Sequence, residues 1–326
     1  MESKFKKILV IQTAFIGDAI LASSVIEKLH AFFPEAAVSI LVRKENESLY
    51  HQHPFLNEVL VWNKQDGKYA SLFALRKKIK SDRYDAIINL HRYASSGFIT
   101  AFSGAKFTAG FDKNPFSFLF TKKVKHVIGD GRHEVERYNE LISEITDKNI
   151  FKPKLYPSPT DIEKVSQYKI GKYVTMSPSS VWFTKQLPES KWKELSAGIP
   201  QDTKIYLLGG KSDIELCNRI KESDKNNRTK ILAGELNLLQ SAALMKNASM
   251  NYVNDSAPLH LASSQNAPVT AFFCSTVPDF GFTPLSDNSR IIEVKNLDCR
   301  PCGLHGFKSC PKGHFKCGNE INITGI

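Results

Sequence analysis

Short, almost unbroken apolar runs alternate with helix-spaced patterns, and they do so twice along this chain. ILVIQT (8–13), VSILV (38–42), VLVW (59–62) and AIINL (86–90) each have the length of a strand. A strand with one face in water alternates apolar and polar residues; these do not, so both faces must be covered. Ala19–His30, with Ile20, Val25, Ile26 and Leu29 facing inward, and Leu72–Ile79 read as the intervening helices, and a helix at about 133–146 closes the series. Buried strands separated by helices predict a parallel sheet covered on both sides. The pattern returns at YVTMS (173–177), KIYLLGG (204–210), MNYVN (250–254) and VTAFF (269–273), with helices near 189–198, 212–221, 237–247 and 257–264.

Between the two series, FKPKLYPSPTD carries prolines at 153, 157 and 159. Proline lacks an amide donor and restricts the residue before it, which suits an interdomain linker. A chain of 326 residues is long enough for two domains, placed at 1–152 and 160–326. The expected fold is α/β, two Rossmann-like parallel-sheet domains facing a central cleft. Such domains hold ligands at the carboxyl ends of their strands.

With 42% hydrophobic and 24% charged residues, the chain is not mainly disordered, collagenous or coiled-coil. No stretch approaches the roughly 20 apolar residues of a membrane span. The basic-then-apolar start resembles a signal peptide, but Gln12, Thr13, Gly17 and Asp18 interrupt it and no small-residue cleavage site follows. A cytoplasmic location is expected. The formal charge of +11 is spread over both halves, 22 basic against 17 acidic residues in 1–150 and 22 against 16 after it. An anionic partner (a phosphorylated small molecule, an anionic lipid surface or nucleic acid) would suit this balance, as would a protein that is simply basic.

Four turns could carry chemistry. In Thr13-Ala14-Phe15-Ile16-Gly17-Asp18, Gly17 would permit a tight turn and Asp18 would sit at the positive end of a helix. There it could accept a proton from a substrate hydroxyl, or serve as a plain N-cap. The turn matches neither the GxGxxG nor the GxxxxGK[ST] phosphate loop. In Asn254-Asp255-Ser256-Ala257-Pro258-Leu259-His260, Pro258 suits the first helical position and Ser256 or Ala257 the cap. Free amides there would cradle a phosphate, with Asp255 on a sugar hydroxyl and His260 near the cleft; a structural cap with a buried histidine fits equally. Ser177–Lys185 offers Ser179 and a lysine, Lys185, to neutralise a diphosphate, although a loop lysine is often merely solvated. Gly209-Gly210-Lys211-Ser212-Asp213 could place Asp213 near a ribose or use it as a cap.

Taken together, ILVIQTAFIGDAILASSVIEKL, FTKQLPESKWKEL, IYLLGGKSDIELC and VNDSAPLHLASSQNAPVTAFFCST resemble the bacterial ADP-heptose:lipopolysaccharide heptosyltransferases, glycosyltransferase family 9. The resemblance runs through nearly the whole chain in the expected order. It implies a GT-B fold with an N-terminal acceptor domain and a C-terminal nucleotide-sugar domain. It also implies Asp18 as general base, Lys185 on the donor phosphates, and Asp255, Ser256 and Ala257 on diphosphate and sugar. Asp213 stands where the family usually has a glutamate on the ribose. His91, Arg92 and His133 fall where the family lines its acceptor side. The implied reaction is direct displacement with inversion at the anomeric carbon, without a catalytic cofactor. The implied partners are an ADP-heptose donor and a lipid-linked oligosaccharide acceptor, met in peripheral contact with the inner membrane; no nucleic acid is expected.

Cys299, Cys302, Cys310 and Cys317 crowd a tail at about 299–317, with His305 and His314 interleaved. Such a set could hold a structural zinc, remain free thiols or form disulfides. Cys217 and Cys274 are expected in the core. After EINI a final helix is expected; either it is absent or the chain is truncated. Two other functions fit the sequence: a basic nucleic-acid-binding protein with a C-terminal zinc element, and a catalytically inactive nucleotide-sugar binder.

Overall fold

The computed structural model describes residues 5–63, 65 and 67–326, which divide into two compact units, 1–156 and 157–326. In unit 1 the strands are β1 (Lys7–Gln12), β2 (Ala37–Arg43), β3 (Leu56–Trp62), β4 (Ala86–Asn89), β5 (Phe107–Phe111) and β6 (Lys122–Val124). All neighbouring strands pair in parallel, in the order β3-β2-β1-β4-β5-β6. The helices are α1 (Ile16–Phe32), α2 (Lys68–Asp82), α3 (Ala94–Ala101) and α4 (Glu134–Ile142). Leu9, Ile11, Leu41 and Ile87 meet Leu72, Leu75, Ile79 and Ile99 in one apolar cluster, so the unbroken strand runs reflect helix cover on both faces.

Unit 2 repeats the plan. Its strands are β7 (Tyr173–Ser177), β8 (Lys204–Leu207), β9 (Thr229–Ile231), β10 (Met250–Asn254), β11 (Val269–Phe273) and β12 (Ser289–Glu293), in parallel order β12-β11-β10-β7-β8-β9. Its helices are α5 (Pro159–Ser166), α6 (Glu189–Gly198), α7 (Ile214–Lys221), α8 (Leu238–Met245), α9 (Ala257–Ser264) and the single turn α10 (Lys316–Asn319). Trp192 and Phe272 pack edge to face at the centre of its core. No helix among the described residues is long and apolar enough to cross a membrane.

Several boundaries differ from the sequence expectation. The Pro-rich stretch already contains the start of α5: Ser158 caps it through Asp161 N–H at 3.0 Å, and Pro159 takes the first helical position. KIYLLGG is a strand only to Leu207, and α4 stops at Ile142. α9 begins at Ala257, so Pro258 is its second residue. Cys217 and Cys274 are buried in the unit 2 core.

Candidate active site

In unit 1 the chain winds outward from β1 to β3, returns to β4 beside β1, and then winds the other way. The loops after β1 and β4 therefore diverge and open a crevice at the carboxyl ends of these strands. Thr13–Phe15 leaves β1 there and His91–Tyr93 leaves β4. Thr13 Oγ1 and His91 Nδ1 share a 2.8 Å hydrogen bond, and the His91 N–H donates to Asn89 Oδ1 at 3.0 Å. Asn114 Nδ2 donates to the carbonyls of His91 and Tyr93 at 3.1 and 3.0 Å. Only glycine fits at 97 beside it, because a Cβ there would lie 1.9 Å from Asn114 Oδ1.

Asp18 is the third residue of α1, whose N-cap is Phe15 with no side-chain capping bond. It is therefore not the cap. Its carboxylate turns back onto the N–H groups of Phe15 and of its own residue. Gly17 keeps a negative φ in the first helical turn, so the tight-turn role does not apply. Asp18 is half-buried, and its pKa is pushed up to about 7. Burial is the largest cause and the negative charge of Glu134 the next; Arg92 and the two N–H groups pull the other way.

Glu134 anchors a buried ionic chain. It faces His126 Nε2 at 3.0 Å and accepts from Arg137 Nη1 at 2.9 Å, while Arg137 Nη2 reaches Asp130 at 2.7 Å. Burial opposes ionisation of Glu134, but the bonds and charges of His126 and Arg137 together hold it below the usual carboxylate range. Gln12 Nε2 donates to Tyr138 Oη at 2.8 Å, and burial, then Asp18 and Glu134, raise that phenol. The expected acceptor-side residues separate here. The charge of Arg92 acts on Asp18 and His91 bonds Thr13 of the same β1 loop, whereas His133 caps α4, its Nδ1 accepting from Val135 N–H at 3.1 Å. Glu134 follows His133 in the Arg132-His133-Glu134 segment that the resemblance puts on the acceptor side, whereas Arg137 and His126 carried no sequence signal; only the topology that sets α4 against α1 brings Glu134 toward Asp18.

Unit 2 has its own switch point, between β7 and β10. Lys185 Nζ, after β7, lies 2.8 Å from Asp255 Oδ2, after β10, and Thr276 Oγ1 donates to the same oxygen at 2.5 Å. Asn254 locks the loop: its Oδ1 accepts from Leu187 N–H at 2.8 Å and its Nδ2 donates to the carbonyls of Pro178 and Ser179 at 2.9 and 3.3 Å. Ser256 is the N-cap of α9 but makes no side-chain capping bond; Pro258 has no N–H and the Leu259 N–H donates to the Ser256 carbonyl at 3.0 Å, so the amide of Ala257 stands at the positive end of the helix. His260 is buried one turn on, beside the Phe282 ring. Asp213 sits on the β8 side, and its carboxylate accepts from Gly210 N–H at 2.7 Å. Asp213 stands at the N-cap position of α7 but makes no side-chain capping bond there; its bond to Gly210 closes the preceding turn.

The Cys-rich tail packs against the lysine loop. Thr184 N–H donates to the Phe307 carbonyl at 3.1 Å, and Thr184 Oγ1 accepts from Phe307 N–H at 2.8 Å. Gly306 holds φ at 78°, and a Cβ there would lie 2.8 Å from Thr184 Oγ1 and 3.2 Å from Lys185 Cγ. All six cysteines are free. Cys317 is pushed up to about 11, by burial first and then by Cys302 and Cys310, which keeps it protonated at neutral pH. Among the described residues no three His, Cys, Asp or Glu side chains are grouped to hold a metal ion.

The sequence profile of Glycosyltransferase family 9 (heptosyltransferase) matches residues 72–308. Lipopolysaccharide heptosyltransferase 2 of Escherichia coli (strain K12) is 24% identical over 340 residues, covering 98% of this chain and 94% of that one. Lipopolysaccharide heptosyltransferase 1 of Pseudomonas aeruginosa is 22% identical over 321 residues, 91% and 86% respectively. Among solved structures, E. coli ADP-heptose lps heptosyltransferase II superposes with a TM-score of 0.77 at 22% identity, covering 90% of this chain and 95% of that one.

Proposed function

The chain belongs to glycosyltransferase family 9, a glycosyltransferase of the two-domain GT-B class, and on that footing we propose that it transfers heptose, or a related sugar, from an ADP-sugar to a lipopolysaccharide core acceptor with inversion. Its relatives among the lipopolysaccharide heptosyltransferases support the sugar and the acceptor. Asp18 is the observation that carries the reading. A carboxylate at a strand-end switch point, half-open to solvent and with a pKa near 7, is matched to general-base work at neutral pH.

In this mechanism unit 1 holds the acceptor and unit 2 the donor. Asp18 takes the proton from an acceptor hydroxyl as its oxygen attacks the anomeric carbon. The bond from that carbon to the diphosphate breaks, and the leaving oxygen keeps the electron pair. Lys185 and the positive end of α9, with the Ala257 N–H, neutralise the departing ADP. Asp255 holds the lysine in place until the diphosphate arrives, with Ser256 and Ser179 as further donors and Asp213 on the ribose side. A diphosphate leaves without protonation, so one carboxylate suffices, in contrast to glycoside hydrolysis. No metal is required in this scheme. The enzyme works in the cytoplasm, at the inner face of the membrane that bears its lipid-linked acceptor.

Calorimetric titration with ADP, with UDP, GDP and CMP as competitors, tests the donor side. Selective ADP binding, weakened at least about tenfold by Lys185→Ala, is the expected result. Preference for another nucleotide would change the donor, and no nucleotide binding would overturn the reading.

A further inference from the structure

Unit 1 carries a set of aromatic rings that its own core does not cover. Phe98 of α3 packs against Phe73 of α2 at 5.5 Å, Phe102 at 5.2 Å and Phe116 at 6.2 Å. Phe118 and Leu119 follow Phe116 in a short 3-10 turn packed on α3. Phe73 is 59% exposed, Phe102 40%, Phe118 74% and Leu119 47%. Single exposed apolar residues are ordinary, but a contiguous group marks contact with another surface.

The charge around the rings selects that surface. α2 holds Lys68, Arg76, Lys77, Lys78 and Lys80 against Asp82, and Lys78 pairs with Glu58 and Asp82. On α2, Tyr69, Phe73 and Lys77 recur every fourth residue and so share one helix face. Arg76 Nε donates to the Phe102 carbonyl at 3.0 Å. Lys80 Cγ lies 4.0 Å from the Cβ position of Gly104. Rings and cations therefore occupy the same face. Two copies of such a face would repel each other, whereas an anionic bilayer offers a hydrocarbon boundary to phenylalanine and phosphates to lysine and arginine. The patch is also continuous with the acceptor side: α3 begins directly after Tyr93, whose ring packs on His91 at 4.6 Å.

We propose that this face of unit 1 docks on an anionic phospholipid bilayer, with Phe73, Phe102 and Phe118 entering the headgroup region and the basic residues of α2 engaging headgroup phosphates. The assignment of a membrane-borne acceptor rests on the proposed function; the docking itself does not. Cosedimentation with phosphatidylcholine vesicles, with and without phosphatidylglycerol, tests it. The chain should pellet with the anionic vesicles, and its partition coefficient should fall about tenfold or more without phosphatidylglycerol. Phe73→Ser/Phe102→Ser/Phe118→Ser should lower it by a similar factor, and Lys77→Glu/Lys80→Glu, which leaves every ring in place, should do the same. Transfer to a lipid-free oligosaccharide acceptor should be unchanged in both variants. A chain that stays in the supernatant would overturn the proposal. So would variants that pellet like the parent, or a patch whose loss disrupts only self-association or polynucleotide binding. A chain that binds vesicles through these residues but transfers no sugar would retain the docking surface and refute the glycosyltransfer reading alone.

Discussion

Replacing Asp18 by asparagine should stabilise the protein while silencing it. The Asp18 carboxyl rises from 3.8 to about 7 on folding. Between those pH values the folded chain holds a proton that the unfolded chain has released, so stability declines as pH rises from about 4 to about 7 and stays lower above it. The full shift of about 3 units corresponds to about 4 kcal/mol. Because residue 18 keeps some solvent exposure, screening reduces this to roughly 1–2 kcal/mol. Asparagine keeps the shape, can still accept from Phe15 N–H through its oxygen, and never ionises. Thermal melts at pH 4 and pH 8 should therefore show little difference between parent and Asp18→Asn at the lower pH. At the higher pH the variant should gain about 3–6 °C. Equal shifts at both pH values, or a variant less stable at pH 8, would refute the claim that folding raises this carboxyl.

Gly306→Ala should cost stability through its positive φ and also weaken ADP binding, because the new methyl would press on Thr184 and Lys185; denaturant melts and calorimetry together separate this from a purely structural effect. Arg137→Ala should destabilise by about 3–5 kcal/mol, since it leaves the buried Glu134 charge without its guanidinium. Urea unfolding would measure this, and a double variant with Glu134→Gln should recover part of the loss.

The fold was legible where burial leaves its mark on composition. ILVIQ, VSILV, MNYVN and VTAFF announce strands covered on both faces. The strands that escaped notice are β5, β6, β9 and β12: short, and in β6 and β9 polar, because edge strands such as KKV and TKI bury little. α5 was hidden by its own capping signal. The prolines that suggested a linker include Pro159, placed at the first helical turn. Asp18, Lys185 and Asp255 could be singled out because strand-to-helix turns are where such folds bind ligands. What the turns could not reveal was pairing. The 2.8 Å contact of Lys185 with Asp255 spans seventy positions, and the pressure of Glu134 on Asp18 requires α4 to lie against α1. The even split of charge between the halves likewise concealed the basic face of α2.

Transfer itself, with the anomeric configuration of the product read by NMR, tests the central claim most directly. Incubated with ADP-heptose and a lipopolysaccharide core acceptor, the parent chain should yield an inverted linkage. Asp18→Asn should bind ADP normally and yield none. A retained configuration, or near-normal turnover by Asp18→Asn, would contradict the account.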